Sequence, residues 1–391
     1  MKSFRIDAVN HFLLVKQHLA EEAKIDDVLK ITRDISGLHA TDPLCAYLSL
    51  LARTKNFHKE ALENELYTKK TMGKVRYARK TVYILLKEKM PGAFNALDKL
   101  LEDRFVHYLE HLDLTVSEFE SLQKRILTGI KPEGMTAKEI KTELGIEDHL
   151  HPVINLMCDR GFLIRGRSPH GWRSNLHTYF RMDRYFPDVD LGSVDELQAR
   201  REVVHDYLRA FGPATVKDIT WWTGFKMGDT RLALEDLKRD ILTIEVQGSD
   251  GQFLLLESQL SSLETVSIPK KDVICFLPLL DPYMMGYKER FRLIDARLFP
   301  YIYDRTGNAT YTVLINGRVS GTWDFGRGKS QEVKVHLFET PDAGLKDRMT
   351  SEAHKIGRFL FEKDVPVRFC SFMAALTERT MGGFMTPLRD S

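Results

Sequence analysis

A chain of 391 residues with 43% hydrophobic and 29% charged side chains is ordinary for a globular protein and long enough for two to four domains. Lysine plus arginine, 57, nearly balance aspartate plus glutamate, 55, so net charge points to no partner and any nucleic-acid surface must come from uneven placement of charge. Cys45, Cys158, Cys275 and Cys370 form no C-x-x-C pair, the N-terminus (Lys2, Arg5, Asp7) lacks an apolar signal core, and no apolar run spans a bilayer; buried thiols in a soluble, cytoplasmic protein are expected.

From Ile6 to about Glu22 the residues Val9, Phe12, Leu13 and Leu19 recur at helical spacing, and Ile25, Val28, Leu29, Ile31 and Ile35 continue in a second helix. A polar turn follows, Gly37-Leu38-His39-Ala40-Thr41-Asp42-Pro43. Asp42 and Pro43 read as N-cap and first position of a helix running to about Arg53. In extended backbone, residues two apart point the same way, so the His39 imidazole and Thr41 hydroxyl can address one small object such as a water. The alternative is a helix start at which both merely satisfy local backbone groups.

A helix around Leu62 and Leu66 comes next. Lys74 to Leu85 is then rich in β-branched and aromatic residues and reads as a β-ribbon. Helices closing on a ribbon outline a winged helix. Lys69, Lys70, Lys74, Arg76, Arg79 and Lys80 lie here with no acid between them, which suits phosphates and equally suits a solvated basic edge that blocks aggregation.

Pro91 to Leu112 reads as a connector helix. A second unit follows, with a helix from Ser121 to Leu127, a Thr136/Glu139 capping box, a helix from about His151 to Arg160, and a hairpin with its turn near Ser168–Gly171 and with Gly171–Arg173 and Thr178–Phe180 on the return. Arg160, Arg165, Arg167, Arg173, Arg181 and Arg184 face one acid, Asp183, with Trp172, Tyr179 and Phe180 interleaved. That composition fits a phosphate backbone.

The third unit begins near Asp195. It has helices at Glu202–Ala210, from a Thr215-x-x-Asp218 cap to Gly224, and at Leu232–Leu237, then strands Leu242–Val246 and Gln252–Leu256 around Gly248–Gly251. Trp221 and Trp222 read as packing residues rather than a base-stacking platform. After Val273 the chain turns β-rich, with an Asn316-Gly317 hairpin, a strand from Glu332 to Leu337, a helix from about Gly344 to Phe361 and frayed final residues. The expected fold is α+β: tandem winged helices at 1–112, 113–192 and 193–268, then a small β-barrel-like domain at 269–391.

Gly326-Arg327-Gly328-Lys329-Ser330 ends like a phosphate loop, but a Walker motif would need glycine where Trp323 stands, and no helix pattern follows. His107 with His111, and His149 with His151, lack a third ligand at convincing spacing, and no G-x-S-x-G occurs. Neither a metal nor another cofactor is expected.

Several strings in this order resemble the AlkZ/YcaQ family of bacterial DNA glycosylases, in which tandem winged helices precede a small β-barrel. They are Gly37–Pro43 with Ala52-Arg53, Arg79-Lys80-Thr81, Trp222-Thr223-Gly224, Leu277–Arg290 and Asn316–Trp323. The resemblance implies excision of alkylated purines, including bases held in interstrand crosslinks. The family's catalytic pair, a Gln with a second Gln or an Asp two residues later, maps onto His39 and Thr41, and neither expected residue is present. A purine alkylated on its imidazole ring is cationic and leaves readily, so the enzyme mainly stabilises an oxocarbenium-like sugar and places a water. His39 can hold that water through a ring nitrogen, with Thr41 as second partner; Asp42 can stabilise the sugar unless capping consumes its carboxylate. Arg76, Arg79, Lys80, Arg165, Arg167 and Arg173 are the expected DNA backbone contacts. The expected protein is a monomeric, metal-independent monofunctional glycosylase acting on damaged double-stranded DNA, with no membrane partner. The alternatives are a non-catalytic winged-helix regulator, which would read a palindrome as a dimer, and a protein-interaction scaffold.

Overall fold

The computed structural model describes residues 1–326, 330–371 and 374–376, the side chains of 98–104 excepted. The centre of the Gly326–Ser330 stretch and the final residues expected to fray lie outside the described residues.

One element order recurs three times: helix, short strand, helix, helix, strand, strand. It runs first through Val28–Asp34, Leu38–His39, Pro43–Leu51, Lys59–Glu63 continuing into Asn64–Thr68, Met72–Arg76 and Val82–Leu86. It runs next through Val116–Gly129, Met135–Thr136, Ala137–Leu144, Leu150–Asp159, Leu163–Arg165 and Thr178–Arg181. In the third unit it runs through Glu196–Phe211, a single bridge at Ala214, Val216–Thr223, Met227–Asp236, Ile241–Val246 and Gln252–Leu256. Each time the short strand or bridge lies antiparallel to the last strand, at Leu38↔Ile84, Met135↔Tyr179 and Ala214↔Leu254. The middle helix opens on a side-chain cap in every copy: Asp42 accepts from Leu44 N–H, and Thr136 with Glu139 and Thr215 with Asp218 form capping boxes.

The start of the chain belongs with the third unit. Strand Lys2–Phe4 pairs in parallel with Ile241–Val246. The first helix, expected to reach Glu22, stops at Lys16, and His18 takes a positive φ of 55° that no helix accommodates.

The first two ribbons are one sheet. Lys74 pairs with Arg165, giving the order Leu38–His39, Val82–Leu86, Met72–Arg76, Leu163–Arg165, Thr178–Arg181, Met135–Thr136. Gly171–Arg173 is not part of the hairpin. Trp172 packs on Tyr47 at 4.9 Å and Phe359 at 5.4 Å, where its ring is held against apolar surface from the first unit and the C-terminal helix.

The C-terminal sheet has the order Ile274–Leu277, Thr312–Ile315, Arg318–Phe325, Val333–Leu337, Val367–Phe369, the last pair parallel. Asn316 and Gly317, with φ of 51° and 77°, make the expected tight hairpin. The expected barrel is corrected: among the described residues the sheet is open, its first and last strands are edges, and helix Ala343–Phe361 packs against it.

The first helix, the third unit and the C-terminal sheet share one apolar core, whereas the second unit encloses a core of its own around Phe119, Ile126, Val153 and Met157. Across the shared core runs a fully buried ion pair. Arg53 Nη1 and Nη2 each donate to an Asp281 carboxylate oxygen at 2.8 Å, and Ser49 Oγ donates to the same carboxylate at 2.8 Å. Arg53→Met should therefore lower unfolding free energy by about 3–5 kcal/mol by stranding a buried carboxylate, and adding Asp281→Asn should cost less than the sum of the two single changes; urea unfolding of the three variants measures both.

Candidate active site and nucleic-acid interface

The turn ahead of helix Pro43–Leu51 is built by a close approach. Gly37 has φ of 102°, and a Cβ there would sit 2.5 Å from Leu85 Cδ2, so only glycine lets the chain pass the ribbon this closely. Strand Leu38–His39 then pairs with Ile84 and Tyr83, and Ala40 N–H donates to the Val82 carbonyl at 2.8 Å.

That pairing draws His39 inward. Its side chain is 3% exposed, with its ring centroid 4.9 Å from that of Tyr83. Nδ1 accepts from Thr41 N–H at 3.4 Å, and Nε2 lies 3.2 Å from Thr81 Oγ1. Thr81 donates its own proton to the Ala78 carbonyl at 3.0 Å, so Nε2–H is the donor in the imidazole–hydroxyl bond. The ring is neutral. Burial, and second the Arg79 guanidinium, push its pKa down to about 3.

Backbone pairing ends at Ala40; Thr41 is exposed and His39 is buried. Asp42 is half-buried and its Oδ1 accepts from Leu44 N–H at 2.8 Å. The solvent-facing side of the turn thus carries a hydroxyl and a capping carboxylate, held from behind by a neutral imidazole.

The ribbon tip beside this turn is strained, with Arg79 and Lys80 at φ of 52° and 57°. The Arg79 guanidinium lies 4.2 Å from the Trp221 ring centroid, and its Nη2 donates to the Thr306 carbonyl at 2.9 Å. Trp221 is also approached by Arg290 at 5.0 Å, so it packs between units as the sequence suggests.

The six arginines and lysines expected at DNA differ in availability. Arg76 pairs with Asp159 at 2.6 Å and donates to the Lys80 carbonyl. Arg165 is 7% exposed and donates to Asn155 Oδ1 at 2.9 Å. Arg79 is spent on Trp221 and Thr306, and Lys80 is half-buried. Arg167 and Arg173 are exposed; Arg167 lies 3.5 Å from Glu63, and Arg173 stacks 4.8 Å over Trp172. In the third unit, helix Met227–Asp236 carries Asp229, Glu235 and Asp236, a poor face for phosphate. Among the described residues no group of three His, Cys, Asp or Glu side chains could hold a metal ion, and no helix is long and apolar enough to cross a membrane.

The family model of AlkZ-like DNA glycosylases matches residues 32–359, from the helix before the turn through the C-terminal helix. The chain belongs to the AlkZ-like family. Membership makes it a DNA glycosylase of DNA repair, with DNA as its partner. The fold is similar to that of Streptomyces sahachiroi DNA glycosylase AlkZ, with a TM-score of 0.77 at 17% identity over 94% of this chain and 100% of that one. No curated protein matches the sequence.

Within this AlkZ-like site the buried histidine makes stability depend on pH. The folded state refuses a proton that the unfolded chain accepts near pH 6.5, so this contribution is whole above pH 6.5 and is lost as pH falls toward 3. His39→Gln should make the decline in unfolding free energy between pH 6.5 and 4 shallower by about 1 kcal/mol per pH unit, measured by urea titration at each pH.

Proposed function

We propose that this protein hydrolyses the N-glycosidic bond of alkylated purines in duplex DNA at the His39–Asp42 turn. The observation that carries this reading is the family match over residues 32–359, which includes the turn, the joined ribbons and Asp281. A water attacks C1′ as the bond to the purine breaks; the cationic base leaves neutral, the water loses its proton to solvent, and an abasic site remains. Thr41 orients the water. The Asp42 carboxylate, while capping its helix, lies near the developing positive charge of the sugar. His39 acts as a positioning residue, and its neutral ring is not asked to titrate during turnover.

The three repeated units serve as winged helices within 1–112, 113–192 and 193–268, followed by the β-rich region 269–391. Arg167, Arg173 and Lys80 contact the DNA backbone at the surface, Arg165 meets it from the sheltered junction of the two ribbons, and Arg76 and Arg79 shape the surface that presents them. The protein acts as a cytoplasmic monomer on damaged double-stranded DNA, interstrand-crosslinked bases among its substrates. Departure of a cationic base asks for no cofactor.

The test is base release from a duplex carrying one alkylated guanine. His39→Ala should abolish release and Asp42→Asn should slow single-turnover release by about 100-fold, each with duplex affinity within about threefold of wild type. Equal loss of release and affinity would argue against catalytic roles. The wild-type rate should show no inflection near pH 6.5. Absence of release with salt-sensitive binding would favour the non-catalytic DNA-binding reading, and light scattering would then find a dimer.

A further inference from the structure

Where the first two ribbons merge, positive charge accumulates inside the protein. Lys74 and Arg165 stand directly opposite each other across the joined strands, so their side chains rise from the same face. Arg165 is 7% exposed; Nη2 donates to Asn155 of helix Leu150–Asp159 at 2.9 Å, while Nη1 is buried and has no partner. His177, just ahead of the returning strand, has a buried Nδ1 without a partner, its ring being held by a hydrogen bond to the Gly166 backbone.

The other charges facing this place are accounted for. Arg76, two residues along from Lys74, is neutralised by Asp159 at 2.6 Å. Glu63 lies 3.5 Å from Arg167. The Tyr67 ring lies 5.7 Å from Lys74 Nζ and 5.1 Å from the Arg167 guanidinium, and Tyr179 pairs with Arg165 across the strands. Among the described residues no carboxylate forms an ion pair with Lys74 or Arg165. Burial and then Arg165 pull the Lys74 ammonium down to about 8 against the opposing charge of Glu63, and burial, then Lys74, then Arg165 push His177 down to about 3 against its hydrogen bond to the Gly166 backbone. Two sheltered like charges beside two unsatisfied polar atoms are unfavourable unless an anion completes them.

We propose that Lys74, Arg165 and His177 form an anion site that seats one phosphodiester of the DNA backbone at the junction of the two ribbons. The proposal rests on the DNA glycosylase reading, which supplies the DNA. An ammonium and a guanidinium from adjacent strands, with an imidazole ahead of the returning strand, are the donor types that bind an oxyanion. Two local positive charges exceed one diester charge, so the seated phosphate lowers rather than reverses the potential. A phosphate oxygen facing Nδ1 favours its protonation, so seating takes up a proton and duplex affinity rises as pH falls from 6 toward 4. The exposed Arg167 and Arg173 hold the backbone loosely; this sheltered site fixes its register.

The test scans a neutral methylphosphonate through the backbone of an undamaged duplex bound to the full chain. At one position the substitution should weaken wild-type binding about tenfold; Lys74→Met should lose about tenfold on the unmodified duplex and no longer respond at that position, and Lys74→Arg should respond again, which excludes misfolding. A scan without such a position, or a Lys74→Met protein that still responds, overturns the proposal. In parallel, the His177 ring resonance should show duplex raising its titration midpoint by at least about two pH units. A midpoint unmoved by duplex overturns the site, and one moved equally by inorganic phosphate at matched ionic strength overturns its assignment to DNA. Missing base release with the methylphosphonate response intact would overturn the glycosylase reading alone.

Discussion

Everything near the candidate site hangs on a salt bridge that no water reaches. Arg53 follows helix Pro43–Leu51, and its partner Asp281 caps the short helix Pro282–Met285 by accepting from Tyr283 N–H at 2.9 Å. The pair therefore locks the far end of the helix whose near end carries His39, Thr41 and Asp42. Cys45 strengthens the same seam, its thiol donating to the Leu279 carbonyl at 2.9 Å. Apolar residues of similar volume would hold such a seam at least as firmly, but they would tolerate sliding. A bidentate guanidinium–carboxylate pair tolerates one register, which a turn that must meet a substrate requires.

The second constraint is that basic ribbons cannot all face outward. Pairing Lys74 with Arg165 removes two sheet edges at once, the usual reason to place lysine and arginine there. Those residues are then sheltered, and Asp159, Asn155 and Glu63 take up Arg76, Arg165 and Arg167. The surface left to meet DNA is narrower than a count of arginines suggests, and its placement is more definite. The third unit shows the complementary outcome: its last helix carries acids, and Arg200 lies 3.2 Å from one of them, Asp229.

Much of the fold was legible. The Thr-x-x-acid boxes at Thr136 and Thr215, the Asp42-Pro43 start and the Asn316-Gly317 turn act within a few residues, and the structure has each of them where local chemistry places it, whereas apolar spacing alone carried the first helix past Lys16. The threefold recurrence was legible for the same reason. The joined sheet was not, because the partner of Lys74 lies 91 positions away and a strand pairing at that distance leaves no local signature. The open C-terminal sheet was also hidden, since strand count does not decide whether the first and last strands meet.

At the candidate site the division is sharper. The sequence by itself determined which groups stand in the turn and that a carboxylate caps the helix behind it. Tertiary structure alone decided their orientation. Pairing of Leu38–His39 with Val82–Leu86 turns the imidazole into the protein and leaves Thr41 outside, and burial rather than any neighbour in the chain sets the ring's charge. Protonation and exposure depend on what packs around a group, and that surrounding comes from segments distant in the chain, so they follow from the fold and not from spacing.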